Sequence, residues 1–316
     1  MKKVTKKSLA IVPPSKESGL YETDTFMPKM HTVTVCIGKR ASGKSVAIVN
    51  LIEKMKFDYT IVVSPTMSSN KELMDRLNVE HVFEDVDDLS AIDQIKQIVV
   101  DEAEDLVRYQ NEMERYKKLM SDLKKGVIVQ DNELLEFFCE DKFEPPTHRW
   151  NGRKPRIACF LDDCLGSMIY SKPRKLNALA TYSRHVGQLP EGGSIGISLF
   201  FAIQSFKCKT GGLTNTIKNQ ATNIILFKSK DIKELKDVAE SVGGEVDEET
   251  FMKVYERAIQ DGKDHQFLLI DLHKKPEHPS CFRQRFDTFI IPEDLDKTEK
   301  NDIVKEMKDN KPSEKS

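Results

Sequence analysis

The chain has 316 residues, with 49 Lys and Arg against 51 Asp and Glu and a formal net charge of -2. That length suits one large α/β domain with insertions better than two small packed domains. The balanced charge excludes binding of nucleic acid by bulk positive charge, so any basic surface must be local. The six cysteines, at 36, 139, 159, 164, 208 and 281, show no paired C-x-x-C spacing. This argues for reduced, buried thiols rather than a zinc site or redox dithiol. Near the N-terminus the apolar stretch Leu9 to Val12 is cut by Pro13 and Pro14. Nothing elsewhere approaches the ~18 consecutive apolar residues of a membrane span, so the expectation is a soluble, intracellular protein with no membrane span.

Residues 1–30 mix lysines, prolines and polar residues without a sustained period and read as an N-terminal arm, extended or draped on the domain. The main domain is expected over 31–292. It opens with HTVTVCI, 31–37, whose β-branched and apolar composition fits a strand buried on both faces of a parallel sheet. From Ser45, VAIVNLIEKMK carries apolar residues at helical spacing, and YTIVVSPT, 59–66, reads as a second strand closed by Pro65. Weaker elements follow around Val79 to Phe83. A long helical pattern rich in Glu, Lys and Leu then runs from Asp88 to Lys125, an insertion or a lid-like arm, and 88–155 as a whole reads as a helical and loop insertion.

The irregular stretch FEPPTHRWNGRKP, 143–155, leads into RIACFLDD, 156–163, another central strand. A helix from Pro173 to His185 precedes the strand ISLFFAIQS, 197–205, and helix-like GGLTNTIKNQ precedes the strand TNIILFKS, 222–229. Helices near 231–241 and 247–260, a strand QFLLIDLH, 266–273, and a short strand within FRQRF, 282–286, complete the domain. The composition from Glu293 onward is almost wholly charged and polar, so 293–316 reads as a disordered tail.

The chemistry concentrates at three strand ends. Gly38, Gly43, Lys44 and Ser45 satisfy G-x-x-x-x-G-K-S between an expected strand and an expected helix, the context that a phosphate-binding loop requires. Glycines let the backbone turn its N–H groups onto phosphate oxygens, Lys44 neutralises them, and Ser45 offers a hydroxyl to Mg²⁺. The nucleotide-binding residues are therefore Gly38, Lys39, Arg40, Ala41, Ser42, Gly43, Lys44, Ser45 and Val46, with ATP and Mg²⁺ as ligands.

A phosphate loop needs a carboxylate partner, and RIACFLDD ends in two. Asp162 takes the position of the Mg²⁺-coordinating residue, acting through water, and Asp163 that of the base orienting the attacking water. The competing assignment for Asp163 is a helix N-cap. Gln204, at the end of LFFAIQS, is placed to deliver its amide beside the γ-phosphate or the water; a solvent-facing strand terminator is the alternative.

The order phosphate-loop strand, acid-pair strand, Gln-ended strand resembles the FtsK/HerA superfamily of P-loop motor ATPases. Within it, the chain resembles the genome-packaging ATPases of nucleocytoplasmic large DNA viruses, the poxvirus type. The resemblance covers about residues 31–230. It is carried by VCIGKRASGKS, by VVSPT with Asn70 after it, by ACFLDDC, by YSRHVG (182–187) before GISLFFAIQS, and by TIKNQATNIILFK (216–228). Two positions depart from it: many members have Asp-Glu where this chain has Asp162-Asp163, and related sequences often have Arg where Lys218 stands.

The resemblance implies a RecA-like α/β fold with a central, mostly parallel sheet flanked by helices. It also implies an ATPase that translocates double-stranded DNA into a preformed capsid as a homo-oligomeric ring. The partners implied are duplex DNA, further copies of the chain and a capsid or portal-vertex protein, and the setting is the host cytoplasm at a viral factory. For a charge donated by a neighbouring subunit, Arg184 is the candidate, because a planar guanidinium can bridge β- and γ-oxygens; a surface arginine is the alternative. His185 beside it reads as a packing residue. DNA contact requires only a few cations per subunit, and Lys172, Arg174, Lys175, Lys207, Lys209 and Lys218 are the scattered candidates. Two other functions share the phosphate loop: a phosphotransferase such as a nucleotide kinase, and a nucleotide-binding capsid-assembly scaffold without motor activity.

Overall fold

A computed structural model describes residues 23–139, 141–207, 212–242, 246–260 and 265–293. The expected tail beyond Glu293 and most of the expected arm lie outside the described residues, as does Lys209. Strand β1 (Val33–Ile37) is buried along its whole length and feeds helix α1 (Lys44–Met55). Strand β2 (Tyr59–Val63) is followed by a short 3-10 turn, Met67–Ser69, helix α2 (Lys71–Arg76) and strand β3 (Val79–Phe83). Helix α3 (Ala91–Lys124) has 34 residues, about 50 Å at the rise of an α-helix. Helix α4 (Asp131–Phe137) and a small hairpin of β4 (Phe138–Cys139) and β5 (Lys142–Phe143) complete the excursion.

The chain re-enters the sheet at β6 (Ile157–Leu161), leaves through α5 (Met168–Ser171) and α6 (Arg174–Tyr182), and returns as β7 (Ser198–Ile203). Helix α7 (Asn215–Asn219), strand β8 (Asn223–Phe227), and helices α8 (Ile232–Ser241) and α9 (Glu248–Ile259) follow. Strands β9 (Phe267–Asp271), β10 (Phe282–Gln284) and β11 (Thr288–Ile290) close the described chain. Polar residues set three of these helix starts. Thr214, Asp231 and Asp247 accept from main-chain N–H groups of α7, α8 and α9, satisfying donors that a helix start leaves unpaired.

The nine strands outside the hairpin form one sheet in the order β11-β10-β9-β8-β1-β7-β6-β2-β3. From β8 to β3 every pairing is parallel, and β8 to β11 is antiparallel. The mostly parallel α/β fold expected from the alternation of strands and helices is therefore present. Each expected strand is there with trimmed ends. Pairing stops where the chain turns at Pro65, Asp162 and Gln204, although apolar or β-branched residues run on.

Alternate side chains of β1 point into two cores: Val33, Val35 and Ile37 into one, Cys36 into the other with α1. The first half of α3 buries Ile92, Ile95, Val99, Ala103 and Leu106 in the larger core. Of the two expectations for the segment, an insertion or a lid-like arm, this half has the packing of an insertion built into the core. An apolar stripe at helical spacing makes it a core helix, and beyond Leu106 only Leu119 is buried among its residues.

The segment Thr23–Met27 is tied across the β9–β11 meander by its main-chain carbonyls. Lys275 donates to Thr23 and Asp24 at 3.1 and 2.7 Å, and a ring nitrogen of His278 lies 2.6 Å from the Thr25 carbonyl. The guanidinium of Arg283, 0% exposed, bonds the Phe26 carbonyl and pairs with Asp271 at 2.9 Å. Burial dominates both ionisable partners, raising the pKa of Asp271 and lowering that of Arg283 against their mutual attraction.

Candidate nucleotide site

Because β1, β7, β6 and β2 are parallel neighbours, their carboxyl ends open on one edge of the sheet. Gly38, Gln204, Asp162 and Ser64 follow them directly. The N–H of Gly38 donates to the Ile203 carbonyl at 3.1 Å, extending the ladder one residue beyond β1 before the loop turns away. A Cβ at Gly38 would lie 2.9 Å from the Cβ of Phe227, so close packing excludes a side chain there. Gly43 has φ 98°, in the left-handed region, and a Cβ on it would meet the His265 ring at 3.0 Å.

Gly43 stands at the N-cap of α1, whose first turn has no side-chain cap and no acidic residue. The N–H groups of that turn are left for an anion, with the positive end of the helix dipole behind them. Lys44 Nζ reaches back to the Lys39 carbonyl at 3.0 Å, arching over the loop that phosphates would fill.

Ser45 Oγ donates to Asp162 Oδ2 at 2.7 Å. The Asp162 main chain is fixed in turn, its N–H donating to the Val63 carbonyl at 3.0 Å. Burial pushes the Asp162 carboxyl above its usual range; the Ser45 hydrogen bond and Lys44 oppose this, and Asp163 adds to it. The donor set fits Mg²⁺: one hydroxyl and one carboxylate are hard oxygens, and a cation there would offset the desolvation of the carboxylate. Among the described residues no group of three or more His, Cys, Asp or Glu could cage a metal. A cation held by one or two protein oxygens plus substrate phosphates needs no such cage.

Asp163 is exposed and has φ 55°, a left-handed conformation that costs an L-residue about 1–2 kcal/mol. The competing N-cap reading fails on position, because α5 starts at Met168 with Ser167 at its N-cap. The loop carrying Asp163 is anchored further on by Met168 N–H donating to Asp87 Oδ1 at 2.7 Å. Gln204 is exposed immediately beyond β7, between the phosphate-loop strand and the acid strand.

Arg184 is not brought to this edge. It lies in a 3-10 turn, Ser183–His185, where the Ser183 carbonyl accepts from Ile197 N–H at 2.9 Å, beside the start of β7. The six residues of β7, roughly 20 Å, separate it from the phosphate loop of its own chain. Of the candidate DNA contacts, Lys175 is paired with Asp93, Lys207 with Asp237, and Lys218 lies 4.6 Å over the Phe206 ring. Lys172 and Arg174 are exposed.

His265 is a site residue that sequence reasoning passed over. Its Nδ1 lies 2.9 Å from the Ser42 carbonyl, bracing the phosphate loop from the start of β9. A lone His in a polar stretch carries no spacing signal, and only the fold puts it there.

No protein-family model matches the chain, and no curated protein matches it. Among solved structures it is similar to the genome packaging NTPase B204 from Sulfolobus turreted icosahedral virus 2 in complex with AMPPCP. There the identity is 14%, covering 82% of this chain and 99% of that one, with a TM-score of 0.42. The same protein with ATP-gammaS gives 14% identity over 80% and 95% of the two chains and a TM-score of 0.39. The pCW3 conjugation coupling protein TcpA gives 18% identity over 89% and 68%, with a TM-score of 0.40. At these identities and TM-scores, what the chain does rests on its own residues.

Proposed function

We propose that this chain is a Mg²⁺-dependent ATPase that drives translocation of double-stranded DNA, working as a homo-oligomeric ring in the packaging of a viral genome. The observation that carries the ATPase reading is the 2.7 Å bond between Ser45 at the phosphate loop and Asp162 at the end of β6. It joins the two motifs across the intervening strand β7. The N–H groups of Gly43 to Val46 and the ammonium of Lys44 hold the phosphates, and the loop from Gly38 to Ser42 closes over them. Ser45 and Asp162 would hold Mg²⁺, which when bound neutralises charge on the phosphate oxygens.

Asp163 accepts a proton from the water that attacks the γ-phosphorus as the bond to the leaving ADP oxygen breaks, and Gln204 orients that water. Arg184, far from its own phosphate loop, serves the site of the neighbouring subunit. The motor role, the capsid or portal-vertex partner and the setting in the host cytoplasm rest on the sequence resemblance to the packaging ATPases. No helix among the described residues is long and apolar enough to cross a membrane.

The test is phosphate release with and without duplex DNA, in the absence of any other acceptor. A motor releases phosphate and is stimulated by DNA. A phosphotransferase releases little without its acceptor, and a scaffold releases none.

A further inference from the structure

Strand β9 runs antiparallel to β8, and β8 runs parallel to β1, so β9 brings its amino end to the edge where β1 delivers the phosphate loop. Phe267, its first residue, pairs with Phe227, the last of β8, and His265 stands just ahead of it. The meander fixes that approach: Arg285 Nε donates to Gln266 Oε1 at 3.1 Å, and the Arg285 N–H to the Phe267 carbonyl at 3.0 Å. His265 Nδ1 lies 2.9 Å from the Ser42 carbonyl oxygen. A carbonyl oxygen only accepts, so the ring proton that makes this bond sits on Nδ1. The same ring fills the space that a Cβ on Gly43 would need, 3.0 Å from Nδ1.

The Ser42–Gly43 peptide is trans, and in a planar trans peptide the C=O and N–H point in opposite directions. With the carbonyl held by His265, the N–H of Gly43 points away from β9, and among the described residues no group accepts from it. Gly43 is the N-cap of α1, so this donor is next in line to the uncapped N–H groups of the first turn. We infer that His265 is a positioning residue of the phosphate cradle: its ring holds the Ser42 carbonyl outward and so presents the Gly43 N–H to the phosphates of the nucleotide. The inference rests on the phosphate-loop reading and adds to it a residue 223 positions further along the chain. Glycine takes either sign of φ at little cost, so without the ring the peptide before Gly43 is free to turn over. A turned peptide sets an oxygen, not an N–H, against the phosphates. The bond from His265 therefore orders the cradle before the nucleotide arrives, and binding is spared the cost of ordering it.

The test measures Mg²⁺-dependent binding of ATP and of inorganic tripolyphosphate, which has the phosphates alone, to the full chain and two variants. His265 has φ 62°, a conformation that glycine and asparagine both tolerate, so neither substitution strains the backbone. His265→Gly removes the donor and should weaken ATP and tripolyphosphate by the same factor, about three- to tenfold, the range of one hydrogen bond. His265→Asn restores an N–H at the reach of Nδ1 and should recover most of the loss for both. His265 is exposed, so the melting temperature without ligand should be unchanged in both variants. A glycine variant that binds as the parent does overturns the inference. So does one that weakens ATP and spares tripolyphosphate, because the ring would then act on the rest of the nucleotide. Failure of asparagine to restore binding removes the hydrogen bond as the cause, and a loss that only follows a lowered ligand-free melting temperature makes the ring a scaffold residue; either overturns the positioning role. Failure of the unaltered chain to bind tripolyphosphate overturns the phosphate-loop reading beneath it.

Discussion

Ser45 Oγ, in the first turn of α1, and Asp162 Oδ2, just beyond β6, are joined by a 2.7 Å hydrogen bond although β1, which feeds α1, and β6 are not neighbours in the sheet. β7 lies between them, so the bond spans the gap above its carboxyl end, where Gln204 follows. The half-buried carboxylate is thereby aimed at the phosphate loop without the loop having to approach the acid strand through backbone pairing.

Asp162→Asn should separate stability from function. Burial raises the native pKa of this carboxyl, so the native state binds its proton more tightly than the unfolded chain does. The ionised group therefore costs stability above the raised pKa, and the cost fades as pH falls through it. The variant should melt at the same or a higher temperature than the parent at pH 7 without ligand, the difference should shrink on acidification, and the stabilisation by Mg²⁺ and ATP should vanish. Thermal melts with and without Mg²⁺ and ATP check this; an unchanged response to them overturns the metal role of Asp162.

Asp163→Asn is a mild change to the backbone, because asparagine tolerates the left-handed conformation as aspartate does. It removes the proton acceptor only. Binding of ATP with Mg²⁺ should persist through Asp162, and turnover should fall by about 10²–10⁴. If nucleotide binding collapses and residual turnover follows occupancy, the roles within the pair are reversed.

Arg184 lies at the edge of the sheet opposite the phosphate loop, so in one subunit it has no route to the γ-phosphate. ATPase activity per subunit should rise with protein concentration as rings assemble. Arg184→Ala should depress turnover and spare ATP affinity, and mixing it with Lys44→Ala should restore activity at interfaces where an intact loop meets an intact arginine. Mixed rings that stay inactive would remove Arg184 from the trans role and turn attention to Lys218.

Asp271 and Arg283 are paired at 2.9 Å with side chains 2% and 0% exposed. Asp271→Ala leaves a buried guanidinium without its counter-charge and should cost about 3–5 kcal/mol in denaturant unfolding. Asp271→Ala combined with Arg283→Met should recover part of that loss, because it removes the uncompensated charge. A single variant as stable as the parent would show that the pair contributes little to holding the meander.

Local chemistry alone determined much of this protein. The β-branched run before Gly38, the glycine spacing to Gly43 and the apolar face after Ser45 specify strand, phosphate loop and helix within about twenty residues. The apolar run ending in Asp162 specifies a second strand with an acid at its tip. These are short-range patterns, set by side-chain period and backbone permissiveness. What only the tertiary structure decided is long-range. The insertion of β7 between β1 and β6, the antiparallel meander of β9 to β11 and the docking of Thr23–Met27 onto it depend on which edges pair. So do the bond from His265 to the Ser42 carbonyl and the placement of Arg184 on the far edge. Strand order and loop docking are selected by the packing of whole faces, and the side-chain period of a single strand is the same whichever neighbour it pairs with.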